Sequence, residues 1–239
     1  MTRRNGQAVV FATRSGGTTI DRDTFGGNPF ATALIQLADS DRISLQQFPR
    51  RLRALTVQAS QRHQVPQWTR WPERLNWSFQ LRPGSRHERR CALVLIVSDY
   101  AAVGVAPLGG AANDERRVSA MLGRNGFSVV QGVAPTRAAL LAALASFSRQ
   151  TLKHDVAVVY CTGHGMEWNS SVYLLPGDFP LLGGCSPARL RTAAISVDRI
   201  ATACRATRFN LVFFAGCRTL ASDVPPDRPL TRRHGSVIT

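Results

Sequence analysis

Three short, continuous apolar runs constrain this chain more than any other feature: residues 91–97, 156–161 and 211–215. A run that is apolar at every position buries both faces, as the central strands of a parallel sheet do. None approaches the roughly 20 residues of a membrane-spanning helix. The segments between them carry helix signals. Residues 110–125 read as a helix closed by Gly126 in the left-handed cap position. Thr136 caps a helix running to about residue 150, and Ser196 caps one to about residue 207. Residues 127–131 and 172–175 read as further strands. This alternation predicts an α/β fold with a mostly parallel sheet.

The N-terminal part follows the same grammar. Residues 8–13 form an apolar strand that ends before Gly16-Gly17. Asn28 and Pro29 start a helix as cap and first-turn proline, with Phe30, Ala33, Leu34 and Leu37 at helical spacing. A second helix spans 45–59, with Leu45, Phe48, Leu52 and Leu55 on one face. Residues 64–72 read as loop. Trp77, Phe79 and Leu81 alternate with polar residues, as in a short strand. Residues 82–90 are polar and punctuated, hence a linker, and 221–239 read as a flexible C-terminal tail. Trp68, Trp71, Trp77 and Phe79 suit a satellite core better than a peptide groove.

Composition excludes several classes. The chain has 239 residues, enough to bury a core, and 44% hydrophobic residues place it among globular chains. No apolar stretch follows the first residues, so a secretory signal is not expected and the cytoplasm is the default compartment. Five cysteines without regular spacing argue against a disulfide scaffold. The net charge of +15 invites a nucleic-acid reading. But 29 of the 30 basic residues are arginine, Lys153 being the single lysine, and the excess is spread as +9 over residues 1–90 and +6 over 91–239. A binding surface clusters its charge and interleaves aromatics, so nucleic acid is not the expected partner.

Two of the buried strands end in reactive residues. Residues 156–161 run into Thr162-Gly163-His164-Gly165, and residues 211–215 into Gly216-Cys217-Arg218. Ligands and chemistry gather at the carboxyl ends of parallel strands. If the two strands are neighbours, His164 and Cys217 face one cleft. The imidazole can then take the thiol proton and later return it to a leaving amine. The flanking glycines allow close backbone approach, and the amides of Gly165 and Cys217 could form an oxyanion hole. Taken singly, a cysteine is most often a buried core residue and a histidine before glycine a turn. Cys161-x-x-His164 has ligand-like spacing but no second pair, so no metal site is expected. Cys91, Cys185 and Cys204 read as structural.

Residues 91–220 resemble the large-subunit region of the caspase and metacaspase clan. The resemblance rests on Leu108-Gly109-Gly110-Ala111-Ala112-Asn113-Asp114, Leu122-Gly123-Arg124-Asn125-Gly126-Phe127, Tyr160-Cys161-Thr162-Gly163-His164-Gly165, Tyr173-Leu174-Leu175-Pro176-Gly177-Asp178 and Phe214-Ala215-Gly216-Cys217-Arg218. The 53-residue separation of His164 and Cys217 agrees with caspases. The resemblance implies a caspase-like three-layer sandwich and a cysteine endopeptidase with His164 as base and Cys217 as nucleophile, acting on protein or peptide without a cofactor. Val9-Val10-Phe11-Ala12-Thr13, Asp21, Asn28-Pro29-Phe30-Ala31 and Gln64-Val65-Pro66-Gln67 resemble the small-subunit region of bacterial caspase-like proteins, where that segment follows the cysteine. Here it precedes it, so the order looks circularly permuted: 6–81, linker 82–90, then 91–220.

The same resemblance bears on specificity. In metacaspases an acidic pocket accepts Arg or Lys before the scissile bond, and Asp114, Thr162 and Ala215 fall at its positions. Asp114 matches one acidic wall, but Ala215 stands where the other carboxylate is expected. The implied basic preference is therefore weak, since losing a buried charged partner costs roughly 2–5 kcal/mol. Read without the family, Asp114 is a first-turn helix carboxylate. The missing acid and the altered order also motivate a second class of function: a caspase-like pseudoprotease acting as an interaction module, with self-association as one mode.

Overall fold

The computed structural model describes residues 6–40, 43–69, 71–72, 77–80, 88–133, 136–181, 185–221 and 237–238. In chain order its elements are β1 (Gly6–Phe11), β2 (Thr19–Ile20), α1 (Pro29–Asp39), α2 (Phe48–Ala59), β3 (Gln67–Trp68), β4 (Arg90–Ile96), α3 (Gly109–Arg124), β5 (Phe127–Val133), α4 (Arg137–Thr151), β6 (Val156–Thr162), β7 (Gly165–Trp168), β8 (Ser171–Leu174), α5 (Pro187–Ala193), β9 (Ile195–Ser196), α6 (Val197–Ala203), β10 (Phe209–Phe214), β11 (Thr219–Leu220) and β12 (Val237–Ile238). The main sheet runs β3-β1-β10-β6-β4-β5, with β3 alone antiparallel. The expected mostly parallel α/β fold is present.

The three apolar runs are β4, β6 and β10 at the centre of this sheet, and every described position in them is buried. Their connections set the layers. From β4 through α3 to β5 the chain steps outward; from β5 through α4 to β6 it steps back across β4. Both crossovers being right-handed puts α3 and α4 on opposite faces. The packing agrees: α1 contacts α2 and α3, while α4 contacts α6. Helix α4 shows why it packs, with Leu140, Leu144, Phe147 and Thr151 making one buried stripe. β1 lies beside β10 in parallel, so the first strand of the chain joins the last central one.

Local signals held at the helix caps. Asn28, Thr136 and Ser196 each accept a backbone N–H from the first turn, and Gly126 sits at φ 77°. Other expectations need correction. Helix α2 starts at Phe48, after a turn at 44–47, because Pro49 is tolerated only in a first turn. Helix α6 ends at Ala203, where the chain turns so that Asn210 can bond Ala206 in both directions. The 64–72 loop contains the edge strand β3. Residues 77–80 are not a strand; Leu81 lies outside the described residues. Trp77 and Phe79 are buried and pack against Phe209, Phe213 and Phe48, Phe79 stacking on Phe48 and Trp77 meeting Phe209 edge to face, so the aromatic group is core, as expected. Arg90 holds this segment down, donating to the Phe79 and Ser78 carbonyls and lying over the Trp77 ring. It belongs to β4 rather than to a linker.

Residues 82–87 of the predicted linker lie outside the described residues. So does most of the predicted 221–239 tail, apart from Ala221 and β12, which pairs antiparallel with β2. The second sheet, β11-β7-β8-β9, was only partly foreseen through β8. Its β7–β8 hairpin turns on Asn169 and Ser170, both at positive φ, the geometry that matches strand twist in a two-residue loop. No disulfide joins the five cysteines. No helix among the described residues is long and apolar enough to cross a membrane.

Candidate active site

Registers align the strand ends. Phe11 pairs with Phe214, Phe214 with Cys161, and Thr162 with Ile96. The chain therefore leaves β1, β10 and β6 along one edge of the sheet, and the two reactive loops emerge from adjacent strands. They lie back to back. A side-chain carbon on Gly216 would come within 2.7 Å of the Gly163 carbonyl, and one on Gly165 within 2.4 Å of the Cys217 carbonyl. Glycine at both places is what lets the loops meet. Gly163 has φ +153°, and a Cβ there would press on the Tyr100 hydroxyl at 2.8 Å.

Tyr100 fixes His164. The His164 amide donates to the Tyr100 hydroxyl at 2.8 Å, and that hydroxyl donates to the Leu175 carbonyl at 2.9 Å. The His164 carbonyl accepts from the Leu175 amide at 2.9 Å. The two rings meet edge to face with centroids 4.4 Å apart. His164 Nε2 is buried without a hydrogen-bond partner among the described residues. Burial pushes this imidazole down to about 4, so it is neutral at pH 7 and can accept a proton.

Cys217 is 4% exposed. Its sulfur accepts from the Thr19 amide at 3.3 Å and lies 3.4 Å from the Thr19 hydroxyl. Burial pushes the thiol up, while the Thr19 contacts pull it down. The next residue, Arg218, is anchored. It pairs with Glu167 at 3.0 Å, donates to the Thr13 carbonyl and to Gln67 Oε1, and lies 4.4 Å from the Phe11 ring centroid. Both charges are nearly sealed from water. A buried pair of this kind holds its place because removing one partner strands the other.

Asp114 is fully buried within the apolar stripe of α3. Its carboxylate accepts from the Asn28 amide at 3.2 Å and the Tyr160 hydroxyl at 3.0 Å, with Arg117 at 3.6 Å. Burial outweighs these partners and pushes it up to about 7. It stands in the second turn of α3, so the first-turn macrodipole reading does not hold. Asn28 extends the network. Its side chain caps α1, donates to the Ala215 carbonyl at 3.2 Å and accepts from Gln64, which in turn accepts from the Ile20 amide.

One cleft gathers these groups. Asp114, Thr162, His164, Ala215 and Cys217 all line it. Gly165 is not in its wall, but its backbone abuts the Cys217 carbonyl. Thr19, Asp21 and Asn28 line it too, and sequence reasoning did not name them as site residues. Asn28 was legible as a helix cap and Asp21 and Asn28 as parts of the small-subunit resemblance, but neither as a cleft residue. Asp21 accepts the Gly110 amide at 3.0–3.1 Å, capping α3 where Leu108 offers no side chain. No local pattern marks Thr19. Cys161, by contrast, is fully buried within β6, its thiol toward the Phe213 carbonyl.

Residues 89–234 match the model of the caspase domain (peptidase C14), more than half of the chain. The chain belongs to the caspase-domain family. The family implies a cysteine-peptidase hydrolase, and the parallel sheet with helices on both faces fits a caspase-like fold. No curated protein matches the chain. The family match begins at residue 89, so Thr19, Asp21 and Asn28 reach the cleft from outside it.

Proposed function

We propose that this caspase-family chain is a cysteine endopeptidase using a His164–Cys217 dyad. The observation that carries this reading is the meeting of a neutral, half-buried imidazole and a buried thiol in one cleft, on loops leaving adjacent parallel strands. His164 takes the proton from Cys217, and the sulfur attacks the substrate carbonyl carbon. The resulting oxyanion is met by backbone N–H groups, for which Gly165 and Cys217 are the candidates. The C–N bond then breaks, the amine leaves with the proton from His164, and a thioester remains. Water, deprotonated by His164, hydrolyses it. No cofactor enters these steps.

The reading extends to specificity and chain order. Two carboxylates face the cleft, Asp114 and Asp21. Asp21 sits on Gly110 N, and Asp114 is four residues further along α3, about 6 Å of helical rise. Asp21 thus supports a preference for Arg or Lys before the scissile bond although Ala215 carries no charge. The parallel pairing of β1 with β10, and the network from Gln64 through Asn28 to Asp114, support a circularly permuted order in which residues 6–81 act as the small subunit.

The test is peptide-library cleavage by wild type and Cys217→Ala, read by mass spectrometry. Cuts after Arg or Lys that vanish in the variant are expected. Cysteine-dependent cuts after other residues would remove the basic preference alone. No Cys217-dependent cut from folded protein would overturn the peptidase reading in favour of an interaction module.

A further inference from the structure

We propose that Thr19 is a positioning residue for Cys217, holding its sulfur through both amide and hydroxyl. The proposal rests on reading Cys217 as the nucleophile. The Thr19 amide donates to the sulfur at 3.3 Å and the Thr19 hydroxyl lies 3.4 Å from it, placed to donate once the thiol has lost its proton, across 198 residues of chain. Thr19 is 4% exposed, so water competes little for these contacts. Its backbone is held: the next amide, Ile20, donates to Gln64 Oε1 at 3.0 Å, and Gln64 is itself fully buried and bonded to Asn28. The amide therefore points at the sulfur as part of a fixed frame.

The chemistry follows from charge. A neutral thiol is a weak acceptor, whereas a thiolate accepts strongly, so donors already aimed at the sulfur favour the ionised form. This matters here because burial works the other way and disfavours charge on Cys217. Two donors from one residue also restrict where the sulfur sits. The titratable groups around the cleft are His164 from the β6–β7 turn, Tyr100 beyond β4, Asp114 on α3 and Asp21 beside Thr19; Arg218 and Glu167 pair with each other next along the chain. Changing the Thr19 side chain leaves all of them in place.

The experiment alkylates the full chain with iodoacetamide across pH, reading Cys217 by peptide mass spectrometry with Cys91 and Cys204 as internal references. The thiolate displaces iodide, so the rate follows its ionised fraction. Thr19→Val keeps the shape and the amide but loses the hydroxyl. Its pH–rate inflection is expected to rise by about one pH unit, with Cys217 roughly ten-fold slower at pH 7. Thr19→Ser is expected to restore the profile. A purely packing role predicts no such pattern of loss and rescue. If Thr19→Val does not melt cooperatively, Thr19→Ala reads the same quantity. An unshifted inflection in the folded hydroxyl-less variant, or a serine variant as slow as valine, overturns the proposal. A wild-type Cys217 that reacts no faster than Cys91 and Cys204 overturns the nucleophile reading instead, before Thr19 is varied.

Discussion

The two sides of the cleft are built from different stretches of chain and do different work. The side within the family match supplies the proposed dyad, His164 and Cys217, on loops that leave strands at the centre of the sheet. The side from residues 6–69 supplies hydrogen bonds: Thr19 to the sulfur, Asn28 to Asp114 and the Ala215 carbonyl, Asp21 to the start of α3, Thr13 and Gln67 to Arg218. Reactive residues sit where a strand ends. Their support comes from wherever the sheet brings another strand alongside, here β1 beside β10. The caspase-domain match alone therefore leaves out part of the cleft lining in this chain.

The comparison can be broken most forcefully on the reactive side. His164→Ala is expected to lower kcat/KM for peptide cleavage by about 10²–10⁴-fold with little change in KM, the range for loss of a general acid–base. If the variant keeps more than a tenth of wild-type activity, the imidazole is not the base.

Next comes the joint between the two sides. Arg218→Met leaves Glu167 buried and uncompensated and drops the contacts to Thr13 and Gln67. A loss of about 3–5 kcal/mol is expected in urea unfolding. The double variant Glu167→Gln, Arg218→Met is expected to recover much of it. A single variant within about 1 kcal/mol of wild type would show that Arg218 does not join the halves.

On the supporting side, Asn28→Ala removes the α1 cap and leaves the Ala215 carbonyl and Gln64 without their partner. A stability loss of about 2 kcal/mol is expected. Asn28→Ser is expected to return only the capping share, about 1 kcal/mol. Full recovery by serine would reduce Asn28 to a helix cap.

The smallest effect is in the pH dependence of stability, where two groups of the cleft oppose each other. His164 is held down at about 4 from a usual 6.5, so the unfolded chain binds its proton more readily; its stabilisation is full above pH 6.5 and fades as pH falls toward 4. Asp114 is held up at about 7 from a usual 3.8, so the folded chain keeps its proton longer; its effect favours the fold at low pH and is lost as pH rises from 4 to 7. Between pH 4 and 6.5 the slopes partly cancel. Asp114→Asn removes one of them, and its melting temperature is expected to rise with pH more steeply than that of wild type. Equal slopes would mean that Asp114 titrates near its usual value. The same carboxylate predicts cleavage after Arg that improves as pH rises through 7.

What was legible in the sequence is what short-range pattern encodes. Fully apolar runs require strands buried on both faces, helical spacing and caps place the helices, and His164 and Cys217 stand out because each ends such a run beside glycine. The aromatic core and the Asn28 cap were readable for the same reason. Asp21 as the cap of α3, Thr19 on the sulfur and Asp114 wholly buried were not. Asp21 lies 89 residues from Gly110, and Thr19 lies 198 from Cys217. No local periodicity spans such distances. These contacts exist because β1 pairs beside β10 and carries the following loop over the strand ends, where burial and a neighbour's donors, rather than residue type, set how each group ionises.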